Sequence, residues 1–282
     1  MKPTPPRPKA SPMTLSELRH RLSDAGIDCA DTEARRLFSY VSGLPAHRLI
    51  GSDPTCDDPR LNALLEKRLA HAPLAYLLGE TEFYRETYRV TPDVLIPRPD
   101  TERLVEEAIG RIPRGARFCD LCCGSGCIGI SVLANRPDLT CDAIDLSPAA
   151  VALTRENAKR NGVSDRLSAF CADLFSLPAE HVGYDAILSN PPYIARSVIP
   201  TLSPEVQNEP TAALDGGEDG LDFYREIARL LPSLLIPGGI ALLEIGYDQA
   251  DAVSRIFSAV GCPPSILSDY GGNPRVACLR RH

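Results

Sequence analysis

Tryptophan is absent from this chain of 282 residues, methionine occurs twice, and aromatic residues make up only 6%. No apolar run approaches the ~18–20 residues that a membrane span requires, so no membrane association is expected. The opening MKPTPPRPKASPM is proline-rich and basic but lacks the apolar centre of a secretory leader. Residues 1–13 are therefore expected to form a disordered tail. A surplus of positive charge is missing too: the net charge is −7. Residues 1–75 hold 11 Lys and Arg against 9 Asp and Glu, and residues 76–282 hold 19 against 28. Proteins that grip duplex phosphates show a basic field, so stable nucleic-acid binding is not expected. The five histidines have no ligand spacing, and no G-x-S-x-G elbow provides a serine nucleophile. Ten cysteines are present, but four crowd into Cys119–Cys127 and the rest are scattered singly. Zinc sites need ligand pairs held apart in sequence, so no metal is expected. Unpaired thiols serving as small core residues fit a reducing, cytoplasmic location.

What is present is a globular composition, 44% hydrophobic and 24% charged. Residues 14–75 read as a helical domain. Thr14 and Glu17 fit a capping box ahead of Leu15, Leu18 and Leu22. Asp31-Thr32-Glu33 opens a second helix that Gly43 and Pro45 stop. Asp58-Pro59 starts a third, with proline at its first helical position. Residues 76–100 form a connector, in which YRETYRVTPDVLIP (84–97) alternates like a hairpin. From Thr101 to the end, helices alternate with apolar strands at 117–121, 140–146, 167–171, 185–189 and 240–245. That α/β rhythm implies a mainly parallel sheet covered on both faces, and two closing strands imply an antiparallel finish.

Within FCDLCCGSGCIGI, Gly124, Gly126 and Gly129 have G-x-G-x-x-G spacing between a strand and a helix. Small residues there let a ligand approach the backbone and the free N–H groups of the helix start. Asp145 follows about twenty residues later, placed for a ribose hydroxyl. Spacing alone would suit a dinucleotide. Two features favour S-adenosylmethionine over NAD. Asp120 directly precedes the loop, where a carboxylate would repel a pyrophosphate but could hold an aminoacyl ammonium. Asn190-Pro191-Pro192-Tyr193 ends a later strand, and a bare terminator of that strand would not need the flanking Asn and Tyr.

The segments LIPRPDTERLVE, DLCCGSGCIGI, SNPPYI, EVQNEPTAAL and DYGGNPRV together resemble the release factor glutamine methyltransferases, the PrmC/HemK family, from about Leu15 to the end. The resemblance implies a class I methyltransferase domain behind an N-terminal helical bundle. Its sheet would be Rossmann-like and seven-stranded, with the last strand antiparallel. It implies S-adenosylmethionine as cofactor and class 1 peptide chain release factors as partners. It places cofactor contacts at Asp120, Cys122, Cys123, Gly124, Ser125, Gly126, Asp145, Asp173, Leu174 and Asn190. It places catalysis and substrate binding at Asn190, Pro191, Pro192 and Tyr193. Two residues depart from the family pattern: Cys122 replaces a glycine, and Leu174 stands where an aromatic is usual. Cys122 fits if its φ stays negative, and Phe175 is the neighbour that would compensate for Leu174.

A glutamine amide is a weak nucleophile because its lone pair is delocalised. Two acceptors, the Asn190 side-chain oxygen and the Pro191 carbonyl, would hold its N–H groups aside and stabilise charge growing on nitrogen. Proline adds stiffness and no competing donor. Tyr193 would pack along the target side chain. Adenine amino-group methylation of DNA or RNA uses the same logic, and the acidic charge and lack of tryptophan weigh against it. An NAD oxidoreductase or a non-enzymatic adaptor would leave Asn-Pro-Pro-Tyr without a task. Arg98-Pro99-Asp100, Glu209-Pro210 and the Asp269–Arg275 loop are candidates for pocket shaping or for turn structure alone.

Overall fold

The computed structural model describes residues 12–178 and 181–282. Of the expected tail, residues 1–11 lie outside the described residues. Met13 is no tail residue, because its apolar side chain joins Leu15 and Leu18 in a core and is 3% exposed. The chain divides into two units, residues 1–79 and 80–282.

The first unit is helical: α1 (Leu15–Asp24), α2 (Ala30–Ser42), α3 (Pro59–Leu69) and α4 (Leu74–Leu78). A two-residue ladder pairs β1 (Met13–Thr14) with β2 (Thr55–Cys56). Its caps follow the sequence signals. Thr14 Oγ1 accepts from the Glu17 N–H at 3.1 Å, and Asp58 Oδ1 accepts from Arg60 N–H at 2.9 Å. Leu18, Leu22, Leu37, Phe38, Leu61 and Leu65 are fully buried between these helices. The unit runs past residue 75 because Leu74 and Leu78 pack on that core and Gly79 closes α4 in the left-handed region.

The second unit opens with a hairpin, β3 (Glu80–Phe83) and β4 (Glu86–Arg89), four residues earlier than the alternation at 84–97 suggests. Phe83 and Tyr88 are both buried edge to face at 6.0 Å, which selects this register. Beyond it, Pro92 and Pro97 have no N–H to give a ladder. Next come α5 (Glu102–Arg111), β5 (Arg117–Leu121), α6 (Cys127–Asn135), β6 (Thr140–Asp145), α7 (Pro148–Arg160), β7 (Leu167–Cys171) and β8 (Tyr184–Ser189). The short α8 (Pro204–Gln207), α9 (Asp222–Leu234), β9 (Leu235–Glu244), α10 (Ala250–Ala259), β10 (Ser265–Ser268) and β11 (Pro274–Arg280) complete it.

Seven strands form one sheet in the order β10-β11-β9-β8-β5-β6-β7. β9, β8, β5, β6 and β7 are parallel, and β11 is antiparallel to both its neighbours. This is the class I methyltransferase fold. One face buries side chains of α5, α6 and α7, and the other buries those of α9 and α10. β5 is first in sequence but central in space, with β6 and β8 on either side. The order in which successive strands are added therefore reverses there, and the C-terminal ends of the parallel β5, β6 and β8 share one edge, where α/β proteins bind ligands. No described helix is long and apolar enough to cross a membrane.

Candidate active site

The turn from β5 into α6 is built on backbone conformation. Cys122, Gly124 and Gly126 have φ of +58°, +54° and +79°. The expected negative φ at Cys122 is therefore corrected: this cysteine lies in the left-handed region that favours glycine, at the start of a turn that Gly124 and Gly126 continue with positive φ. At Gly126 a Cβ would meet Thr154 Cγ2 at 2.8 Å, so only glycine fits. Asp145, at the end of β6, clamps the loop from the other side. Its Oδ2 accepts from Gly124 N–H at 2.8 Å and its Oδ1 from Ser147 N–H at 2.9 Å.

A cavity of about 380 Å³ opens at this edge, within the size range of small-molecule sites. Cys122, Cys123, Gly124, Ser125, Asp145, Asp173, Leu174 and Asn190 all line it, as the sequence implies, together with Pro192. Asp120, Gly126, Pro191 and Tyr193 do not. Asp120 is fully buried against α6, with Oδ2 accepting from Gly129 N–H at 2.9 Å. Its Oδ1 has no partner among the described residues. Burial pushes this carboxyl up to about 7; the Gly129 N–H pulls it down and the Asp145 charge adds to the rise. Asp120 thus sits off the cavity wall, since its short side chain turns toward α6 rather than the ligand edge.

The lining fits S-adenosylmethionine. Asp145 retains acceptor capacity for a ribose diol after its two backbone contacts. Leu174 and Phe175 present an apolar wall, and Phe175 meets Phe223 edge to face at 5.2 Å. Phe175 is about half exposed and lines the cavity beside Leu174.

β8 delivers Asn190 to the same edge. Asn190 Nδ2 donates to Thr101 Oγ1 at 3.3 Å, and Thr101 Oγ1 donates to Glu244 Oε2 at 2.6 Å. Tyr193 does not reach the cavity; its hydroxyl donates to Glu244 Oε1 at 3.3 Å and its ring packs on the core. Glu244 is 1% exposed at the end of β9. Burial pushes its carboxyl up to about 7, against the pull of the Thr101 hydroxyl, the Arg275 guanidinium and the Tyr193 hydroxyl. No described donor uses Asn190 Oδ1 or the Pro191 carbonyl.

Three sequence candidates form braces, and two of them, through Arg98 and Pro210, also line the cavity. Arg98 pairs with Glu209, whose Oε2 also accepts from Ile96 N–H at 3.0 Å, which ties the segment before α5 to the segment after α8. Arg275 bridges Asp100 and Asp269, each at 3.2 Å. Sequence reasoning missed Thr101, Glu244, Thr154 and Asn157. Thr154 Oγ1 donates to the Gly124 carbonyl at 3.0 Å, and Asn157 Nδ2 donates to the Ser125 carbonyl at 2.9 Å. A polar residue on a helix's buried face and a Glu closing the run IALLE were the available signals.

Comparison with known proteins agrees with this geometry. Residues 101–211 match the "Methyltransferase small domain" family model, and residues 14–79 match the "PrmC N-terminal domain". The release factor glutamine methyltransferase of Cereibacter sphaeroides is 44% identical over 266 residues, covering 92% of this chain and 94% of that protein. That of Geobacter sulfurreducens is 40% identical, covering 93% of each. A methyltransferase structure from Pyrococcus furiosus shares the fold at 14% identity and a TM-score of 0.52, covering 69% of this chain and 88% of that one. With sequence similarity running through both units and the expected loop and Asn-Pro-Pro-Tyr segment on one sheet edge, this chain belongs to the release factor glutamine methyltransferase family.

Proposed function

We propose that the chain methylates the side-chain amide nitrogen of the glutamine in the Gly-Gly-Gln motif of class 1 peptide chain release factors. The observation that carries the reading is the uncommitted acceptor Asn190 Oδ1 on the wall of a cavity that Asp145 and the glycine loop also build, with the equally uncommitted Pro191 carbonyl next to it in the chain. S-adenosylmethionine, when bound, supplies an electrophilic methyl group on a sulfonium. Asn190 Oδ1 and the Pro191 carbonyl accept the two N–H bonds of the target amide and leave its lone pair directed at the methyl carbon. Transfer of that methyl group to the target nitrogen would build positive charge there, which the fixed dipoles of Asn190 and Pro191 would stabilise. One N–H proton then leaves to solvent, so no strong base is required. Pro191 and Pro192 restrict the backbone that sets both acceptors. Residues 14–79 hold none of these groups, and we assign them to docking of the release factor.

Asn190→Ala is the test. Turnover in single-turnover methyl transfer is expected to fall by about 10²–10³-fold, as when one oxyanion-hole donor is removed, with cofactor affinity retained. Near-normal rates in that variant would sink the mechanism.

A further inference from the structure

We infer that Thr101 and Glu244 are positioning residues that decide which end of the Asn190 amide faces the cavity. The inference rests on the reading of Asn190 Oδ1 as an acceptor for the target amide. A threonine hydroxyl has one proton. Here it goes to Glu244 Oε2 at 2.6 Å, so the oxygen turns a lone pair to Asn190 Nδ2 at 3.3 Å. With Nδ2 held by Thr101, Oδ1 is the end left for the cavity. Were the Thr101 proton released, the hydroxyl could donate to Asn190 Oδ1 instead. The amide would then turn by half a rotation and offer N–H donors to a target that itself presents N–H donors.

The polarity is supported by burial, since Thr101 and Glu244 are each 1% exposed. It is also shared. Tyr193 donates to the other oxygen of the same carboxylate, so both ends of Asn-Pro-Pro-Tyr are referred to Glu244. The groups facing Glu244 are Thr101, Tyr193, Tyr224, Cys127, the Arg275 guanidinium and the Asp100 carboxylate. Only Arg275 is cationic, and it favours the ionised, acceptor-only form on which the arrangement depends. A protonated Glu244 carries an O–H of its own and can reverse the chain of donors.

The test is a cycle of isosteric variants in single-turnover methyl transfer to a release factor, with S-adenosylmethionine affinity from calorimetry as the control for folding. Thr101→Val is expected to lower the rate by about 10–100-fold at unchanged cofactor affinity, and Thr101→Ser to restore most of it. In an Asn190→Ala background, Thr101→Val should cost little more, because it acts through Asn190. The wild-type rate should fall as pH drops through about 7, where Glu244 gains its proton. Glu244→Gln should be slow at every pH and lack that limb. Thr101→Val at the wild-type rate, or with the same loss in the Asn190→Ala background, overturns the network while the Asn190 mechanism stands. Asn190→Ala at the wild-type rate overturns both.

Discussion

Cys122 holds φ at +58°, where an L side chain crowds the next carbonyl at a cost of roughly 1–2 kcal/mol. Glycine would remove that strain but lose about 0.5–1 kcal/mol to unfolded-chain entropy. Cys122→Gly is therefore expected to stay within about 1 kcal/mol of the parent in urea unfolding, with cofactor affinity retained. Cys122→Val, branched at Cβ, should lose on the order of 2 kcal/mol and weaken the cofactor. Equal stability in the valine variant would mean that the turn is not strained at this residue. Burial raises the thiols of both Cys122 and Cys123, so neither is a ready thiolate at neutral pH. At this scale the sequence was most legible where chemistry is local. Gly124 to Gly126 and Asn190 to Pro192 are neighbours in the chain, and their spacing carries their task. Thr101 and Glu244 are 143 positions apart and meet only because the sheet brings them together, so no spacing could announce them.

Among elements, strands were easier to read than their limits. Apolar runs at 117–121, 140–146 and 167–171 became β5, β6 and β7 within a residue or so, because each is bounded by polar or turn residues. The hairpin was misplaced by four residues because the alternation of residue types continues past Arg89, where the chain turns instead, Val94 N–H donating to the Thr91 carbonyl at 3.2 Å. α9 continues through Pro232 to Leu234, although proline usually ends a helix. Leu231 and Leu234 are each 1% exposed, and their burial outweighs the hydrogen bond that Pro232 cannot donate. Pro232 itself is exposed. Pro232→Ala is therefore expected to stabilise the protein by about 1 kcal/mol, the regained helix bond being partly offset by a freer unfolded chain. The urea midpoint measures this, and a drop would show that the proline is needed to steer the chain from α9 into β9.

For the whole molecule, the division at Gly79 separates a unit with a leucine-rich core from one that contains every residue of the candidate site. Removing residues 1–79 is expected to spare cofactor affinity but to slow methylation of an intact release factor. Full-rate methylation by residues 80–282 would remove docking from the first unit's task. A mainly parallel α/β sheet was visible from strand–helix alternation, and the family resemblance added its seven strands and antiparallel last strand, whereas the braces between distant loops, Arg98 with Glu209 and Arg275 with Asp100, were not visible. They join segments whose charges look like ordinary solvated surface until folding buries Glu209 and Arg275.

The position of β11 between β9 and β10 has a consequence for the order of synthesis. β9 and the Glu244 at its tip leave the ribosome well before β11, which must then insert beside β9 in the antiparallel sense, pairing Val276 with Glu244. Until it does, β9 has an open edge, and the Arg275 charge that steadies Glu244 has not been made. An unfinished copy of this chain therefore lacks the cation that favours the ionised form of Glu244.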